Sequence, residues 1–172
     1  FKDLQHYSEV WMNSDFEKDM FVKDFKYPHN NLKVNGYPRV HYLLENGNKK
    51  KILKKTNNIS NKIVVYAPTA SRNDKAFLNS TFSPFKLENL KKFDEFFKKI
   101  NATLIIKTHL NDKFSNEIES YFENSIFIKH TKNLTVNYDY DYLIMSDMLL
   151  TDYSTVYVDY LVTIILIKTI KI

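Results

Sequence analysis

The chain has 172 residues, of which 44% are hydrophobic, 26% are charged and none is cysteine. This composition fits one globular domain, or one domain with part of another, and it excludes collagen-like, disulfide-stapled and cysteine-nucleophile proteins. The net charge of +5 at pH 7 favours anionic partners such as phosphate compounds, nucleic acid or a membrane surface.

The amino-terminal part of the chain predicts a helix, a strand and a second helix. Ser14 followed by Glu17 has the pattern of a capping box, which predicts a helix from Ser14 to about Phe25. A brief strand is expected at residues 31–35. Residues 45–56 are rich in lysine and are expected to form a helix whose lysines face solvent.

From Lys62 onward, apolar strands alternate with amphipathic helices. The predicted strands occupy residues 62–67, 102–107, 125–129, 148–151 and 164–167, and the predicted helices occupy residues 87–100, 112–123, 139–146 and 154–162. Strands that are apolar on both faces predict a parallel sheet covered by helices, so we expect an α/β, Rossmann-like fold. We expect residues 1–45 to be the end of a preceding domain with a linker. Residues 46–172 are expected to form the Rossmann-like domain, incomplete at its carboxyl end.

Polar residues follow three of the predicted strands, at the edge where open α/β sheets bind ligands. The first strand is followed by Thr69 and Arg72, the second by Lys107 and His109, and the fourth by residues 151–155, which precede a helix. A helix start with hydroxyls and free N–H groups favours an anion, and cations on the same rim suit a diphosphate. Taken alone, the segment 151–155 fits an ordinary helix cap equally well.

Motifs of several other chemistries are missing from the sequence. The histidines show no metal spacing with one another or with carboxylates, so no metal is assigned. There is no G-x-G-x-x-G, Walker A or G-x-S-x-G pattern, which leaves dinucleotide, P-loop and hydrolase functions without their motifs.

Four short motifs, taken in order, resemble those of one family. They are GYPR at residues 36–39, YAPT at 66–69, KTH at 107–109 and SDMLLTDYST at 146–155 with Asp159 after it. The chain resembles the CDP-glycerol:poly(glycerophosphate) glycerophosphotransferases of teichoic-acid and capsule synthesis, over residues 14–159. The last motif is the most specific, whereas the others indicate the family mainly through their order and spacing.

The resemblance implies the carboxyl-terminal, donor-binding half of a GT-B enzyme, which has two Rossmann-like domains. Such an enzyme transfers a polyol phosphate from a CDP-polyol to a growing polymer and releases CMP. It implies CDP-glycerol as donor substrate, no cofactor, and a lipid-linked polyol-phosphate acceptor. It also implies a cytoplasmic protein held peripherally on the inner face of the cell membrane.

The resemblance also assigns roles to individual residues. His109 is expected beside the pyrophosphate as the catalytic residue. The expected substrate-binding residues are Arg39, Thr69, Arg72, Lys107, Thr151, Asp152, Ser154, Thr155 and Asp159. Within this set, Ser154 and Thr155 would hold donor phosphates, and the two aspartates would orient the loop or contact the donor.

The sequence departs from the family pattern at several points. It lacks the upstream Trp-His-Gly segment that is expected to carry the catalytic base. Leu110 replaces the proline after His109, His41 replaces an aspartate, and no proline-containing strand follows the last helix. We therefore expect a truncated chain that has lost most or all transferase activity.

Other functions are compatible with the same residues. The donor could be CDP-ribitol or another CDP-polyol, or the chain could be a GT-B glycosyltransferase that uses a nucleotide sugar. It could also be a non-catalytic remnant that binds phosphate compounds. No nucleic-acid partner is expected, because stacking requires exposed aromatic rings and most aromatics here fall at predicted core positions.

Overall fold

The computed structural model describes residues 7–69, 86–108, 114–152 and 154–169. The chain forms two compact units, Phe1–Glu45 and Asn46–Ile172. In the first unit, strand β1 (Val10–Met12) pairs in parallel with strand β2 (Leu32–Val34), and helix α1 (Asp15–Phe25) connects them. The buried core of this unit consists of Met12, Tyr27 and Leu32. The sequence did not predict β1, because a strand of three residues is too short to show a periodicity.

The start of α1 confirms the predicted helix cap and refines it. The Ser14 Oγ accepts a hydrogen bond from the backbone N–H of Glu17 at 3.2 Å. The Glu17 carboxylate reaches back one residue further than expected and accepts from the N–H of Asn13 at 2.6 Å. Side-chain acceptors thus satisfy backbone groups that lack helical partners at the amino end.

Helix α2 (Pro38–Asn46) follows Gly36. The sequence did not predict this helix. Gly36 has a φ of 74°, a backbone conformation that glycine adopts without a steric penalty. The helix begins at Pro38, whose fixed φ and missing N–H suit the first turn of a helix.

The second unit contains a four-stranded parallel sheet. Its strands are β3 (Lys62–Tyr66), β4 (Ala102–Ile106), β5 (Ile128–His130) and β6 (Met148–Leu150), in the spatial order β5-β4-β3-β6. The first strand of this unit therefore lies between the second and the fourth, as in half of a Rossmann fold. The predicted parallel α/β sheet is confirmed.

The helices of the second unit are α3 (Lys50–Thr56), α4 (Leu87–Lys99), α5 (Asn116–Asn124), α6 (Asp141–Met145) and α7 (Val156–Thr169). A buried cluster of residues from β4, β5, α4 and α5 includes Leu90, Phe97, Leu104, Phe122 and Ile128. Strand β4 is buried along its whole length. Burial on both faces explains why its sequence is apolar without alternation.

The predicted fifth strand at residues 164–167 is wrong, because α7 continues through it to Thr169. A short, continuous apolar run fits a buried strand and a buried helix equally well by periodicity. Residues 156–169 contain no glycine or proline that would end the helix. Within the described part of the chain, no helix has both the length and the hydropathy needed to cross a membrane.

Candidate functional site

The loops that follow β3 and β6 meet where the strand order of the sheet reverses. In open α/β sheets this switch point, beyond the carboxyl ends of the strands, is the usual place for a ligand. The two loops are joined directly, since the Ala67 N–H donates to the carbonyl of Leu150 at 2.9 Å. The Thr151 hydroxyl donates to the carbonyl of Ala67 at 2.6 Å. The structure thus brings the first and last sequence motifs of this unit together.

Asp152 is the main link between these loops. Its carboxylate accepts from the Thr69 N–H, which lies 3.0 Å from both oxygens, and from the Thr69 hydroxyl at 2.6 Å. The Ser154 N–H donates to the same carboxylate at 3.0 Å. Burial by itself would raise the pKa of Asp152, but the bonds from Thr69 and Ser154 outweigh it and lower that pKa. Asp152 is therefore ionised at neutral pH, and its charge holds the two loops in register.

The start of α7 supplies the groups that could hold an anion. Thr69 and Thr151 give their hydroxyl protons to protein acceptors, as described above. Ser154 and Thr155, by contrast, donate their hydroxyl protons to no acceptor in the described part of the chain. The Ser154 Oγ only accepts a long bond from the N–H of Val156 at 3.5 Å. These two hydroxyls, together with the positive end of the α7 dipole, can bind a phosphate oxygen.

Asp159 lies one turn into α7 and is 1% exposed. A carboxylate buried to this degree lies inside the fold. Of the two roles expected for Asp159, this position favours orientation of the helix start over direct contact with a ligand.

Lys107 follows β4, one strand away from the switch point, and its N–H donates to the carbonyl of Tyr66 at 2.8 Å. Its Nζ lies 3.0 Å from the Oδ1 of Asp139 and 5.9 Å from the ring centroid of Tyr142. Asp139 is 63% exposed, so this ion pair is open to solvent. An arriving phosphate would therefore compete with the Asp139 carboxylate for Lys107 rather than meet an unpaired cation.

His130 is a site residue that the sequence did not reveal, and it supports the loop after β4. It ends β5 directly beside Ile106 of β4 and is 2% exposed. Burial, helped by the charges of Lys132 and Lys107, lowers the pKa of His130 from 6.5 to about 4. The ring is therefore neutral at pH 7.

The hydrogen bonds of His130 fix its tautomer. The Nδ1 accepts from the backbone N–H of Lys132 at 3.1 Å, so the proton resides on Nε2. The Nε2 lies 3.0 Å from the Thr108 Oγ1 and donates to it. His130 thereby holds the residue that precedes His109. Nothing in the sequence distinguishes His130 from any other histidine at a strand end.

Asp147 belongs to the same sequence motif as Asp152. It lies near the start of β3, at the amino ends of the strands. It accepts from the Ile63 N–H at 2.9 Å, and the Nζ atoms of Lys50 and Lys54 lie 3.0 and 4.0 Å from its carboxylate. Lys50 and Lys54 are thus half-buried structural partners, which corrects the expectation that the lysines of residues 45–56 all face solvent. Lys51 and Lys55 are exposed, as predicted.

The remaining predicted site residues are His109, Arg72 and Arg39. His109 and Arg72 lie outside the described residues. Arg39 belongs to the first unit, where its guanidinium lies 4.4 Å from the ring centroid of Tyr37. Among the described residues, no group of three histidines or carboxylates could hold a metal ion.

The sequence profile of the CDP-Glycerol:Poly(glycerophosphate) glycerophosphotransferase family matches residues 1–164. The chain belongs to this family. The resemblance read from the four motifs is thereby confirmed. No curated protein matches the chain.

Solved structures of the wall teichoic acid polymerase TagF share the fold of this chain. A TagF variant matches with a TM-score of 0.61 at 21% identity, over 92% of this chain and 38% of that one. Unsubstituted TagF gives 0.59 at 21% identity over the same shares, and a variant soaked with CDPG gives 0.58 at 21% identity over 92% and 36%. This likeness confirms the predicted Rossmann-like fold of GT-B type. The chain spans 38% of the TagF chain that it matches.

Proposed function

We propose that this chain binds CDP-glycerol, or another CDP-polyol, and acts in the transfer of its polyol phosphate to a teichoic-acid or capsular polymer. One observation carries the proposal: Asp152 joins the loops after β3 and β6, so that the hydroxyls of Ser154 and Thr155 meet the start of α7 at the switch point. This arrangement suits a diphosphate, and family membership and the CDPG-soaked TagF variant support CDP-glycerol as its source.

The transfer would proceed as a displacement at the phosphorus that carries glycerol. A hydroxyl oxygen of the acceptor forms a new bond to that phosphorus, and the bond to the bridging oxygen of the diphosphate breaks. CMP leaves with the bonding electron pair, while the acceptor proton passes to a base or to water. Hydrogen-bond donors stabilise the charge that develops on the phosphoryl and leaving-group oxygens.

In this reaction Ser154, Thr155 and the start of α7 would hold the donor phosphates. His109 would stand beside the pyrophosphate, and the residue before it, Thr108, is held by His130. Lys107 would contribute its charge by exchanging Asp139 for a phosphate oxygen. Arg39 and Arg72 complete the proposed set of cationic contacts.

The cellular setting is part of the proposal. The acceptor would be a lipid-linked polyol phosphate, which requires peripheral contact with the inner face of the cell membrane. The net charge of +5 suits such an anionic surface. We further propose that residues 46–172 are the donor-binding domain and that residues 1–45 end the preceding domain.

Calorimetric titration of the chain with CDP-glycerol tests the proposal, with CDP-ribitol and a UDP-sugar as competitors. We expect CDP-glycerol to bind selectively and Ser154→Ala to weaken it by about tenfold, because one hydrogen bond to a charged group is lost. Ser60→Ala is the matched control, since Ser60 is an exposed serine that precedes β3 at the opposite edge of the sheet. Preference for the UDP-sugar would indicate a glycosyltransferase, and equal binding by wild type and Ser154→Ala would contradict the proposed phosphate site.

A further inference from the structure

Tyr138 and Tyr140, from the segment between β5 and α6, form with Tyr142 of α6 a row of rings that runs from the core to the surface. The ring centroids of Tyr138 and Tyr140 are 5.9 Å apart with planes inclined by 32°. Those of Tyr140 and Tyr142 are 6.3 Å apart with planes inclined by 28°. Tyr142 is 5% exposed and Tyr138 is 41% exposed. The row therefore begins on a buried ring and ends on one that solvent reaches.

The tyrosine row is tied to the ligand-binding edge of the sheet through Lys107. Asp139 lies within the row's own sequence, and its carboxylate is 3.0 Å from the Lys107 Nζ. The same Nζ is 5.9 Å from the ring centroid of Tyr142. Lys107 follows β4, which is separated from β6 by β3 alone. Two strand spacings, about 10 Å, therefore separate β4, whose Lys107 contacts Asp139, from β6, which precedes Ser154.

A nucleoside diphosphate has a similar sideways layout. The ribose separates the base from the phosphates, so a diphosphate at the switch point must place its base to one side. On the β4 side, an exposed aromatic ring offers a face for stacking. Stacking on an aromatic face is favourable for every nucleobase and extends a row of rings without a dedicated hydrogen-bond pattern.

We propose that Tyr138 is the platform on which the base of the nucleotide donor stacks, with Tyr140 and Tyr142 supporting it from behind. The proposal rests on the proposed function for the identity of the base, which would be cytosine. A rigid, pre-stacked platform loses little conformational freedom when the base arrives, which favours binding.

Calorimetric titration of the full chain with CMP, CDP-glycerol and inorganic pyrophosphate tests the platform. Tyr138→Ala should weaken CMP and CDP-glycerol by about tenfold, within the range of roughly 5- to 150-fold that one stacked base supports. Pyrophosphate binding should not change, because it has no base. Tyr138→Phe keeps the ring and should bind within about twofold of wild type.

Phe96→Ala is the control for loss of an exposed aromatic ring, since Phe96 is 53% exposed on α4, outside the row. Thermal melts establish that each variant is folded. Folded Tyr138→Ala that binds CMP as tightly as wild type would overturn the platform.

The three ligands distinguish the Tyr138 platform from the proposed use of CDP-glycerol as donor. A chain that binds CMP through Tyr138 but does not bind CDP-glycerol would overturn the donor assignment and support the platform. A chain that binds pyrophosphate but not CMP would overturn the platform and leave the phosphate site standing. Failure to bind any of the three ligands would overturn both.

Discussion

Acidification should destabilise this protein through His130. The folded-state pKa of His130 is about 4, against an ordinary value of 6.5. Since the folded value is the lower one, the unfolded chain takes up the proton first. The stabilising contribution is present in full above pH 6.5 and is lost as the pH falls towards 4. A difference of about 2.5 pH units corresponds to a loss of about 3 kcal/mol.

The surroundings of the ring support this direction. Phe122 and Phe114 pack against it, with centroids 5.3 and 5.6 Å away. The charged side chains near it are those of Lys107 and Lys132, together with Glu119 and Glu123, which line an adjoining cavity of about 200 Å³. Burial among aromatic rings outweighs the glutamates, because a charged imidazole would lose its hydration there.

Urea unfolding at pH 7, 6, 5 and 4 measures the effect. Wild type should lose about 3 kcal/mol more than His130→Gln over this range, because glutamine has no group that titrates. His41→Gln is the matched control for loss of an imidazole, since His41 is 73% exposed.

The titration of the His130 ring can also be followed directly by NMR. A His130 signal that titrates near 6.5, or identical pH dependence in wild type and His130→Gln, would refute the reasoning.

Three further predictions concern other parts of the fold. Asp152→Asn should weaken CDP-glycerol binding several-fold and lower the free energy of unfolding by about 1 kcal/mol, because an amide accepts the bonds of Thr69 less strongly. Since the folded-state pKa of Asp152 is lowered, this stability difference should persist above pH about 3.9 and disappear as the pH falls further. A difference that is equally large at pH 2 would contradict this role. Phe122→Ala should cost about 3–5 kcal/mol in urea unfolding, because it leaves a cavity beside β5. A cost below about 1 kcal/mol would mean that the site collapses. Ser14→Ala should cost about 1 kcal/mol through loss of the cap of α1, and unchanged stability would show that Glu17 suffices.

The sequence by itself determined the fold class, the four segments that form the sheet of the second unit, and the family. Strands β3 and β4 are continuous apolar runs, and burial on both faces requires that composition. The cap at Ser14 is a local interaction within four residues, so the chain encodes it without reference to the rest of the fold. The motif that ends in Thr155 likewise predicts a helix start from local residues alone, and α7 begins at Val156.

Only the tertiary structure decided what depends on distant parts of the chain. The link between Thr69 and Asp152 joins residues far apart in sequence, and it shows that the Asp152 carboxylate joins the loops after β3 and β6. The neutral His130 and the pairing of Lys50 with Asp147 follow from burial and proximity, which no local pattern encodes. The helix at residues 164–167 replaced a predicted strand because hydrophobicity alone specifies burial and not backbone geometry.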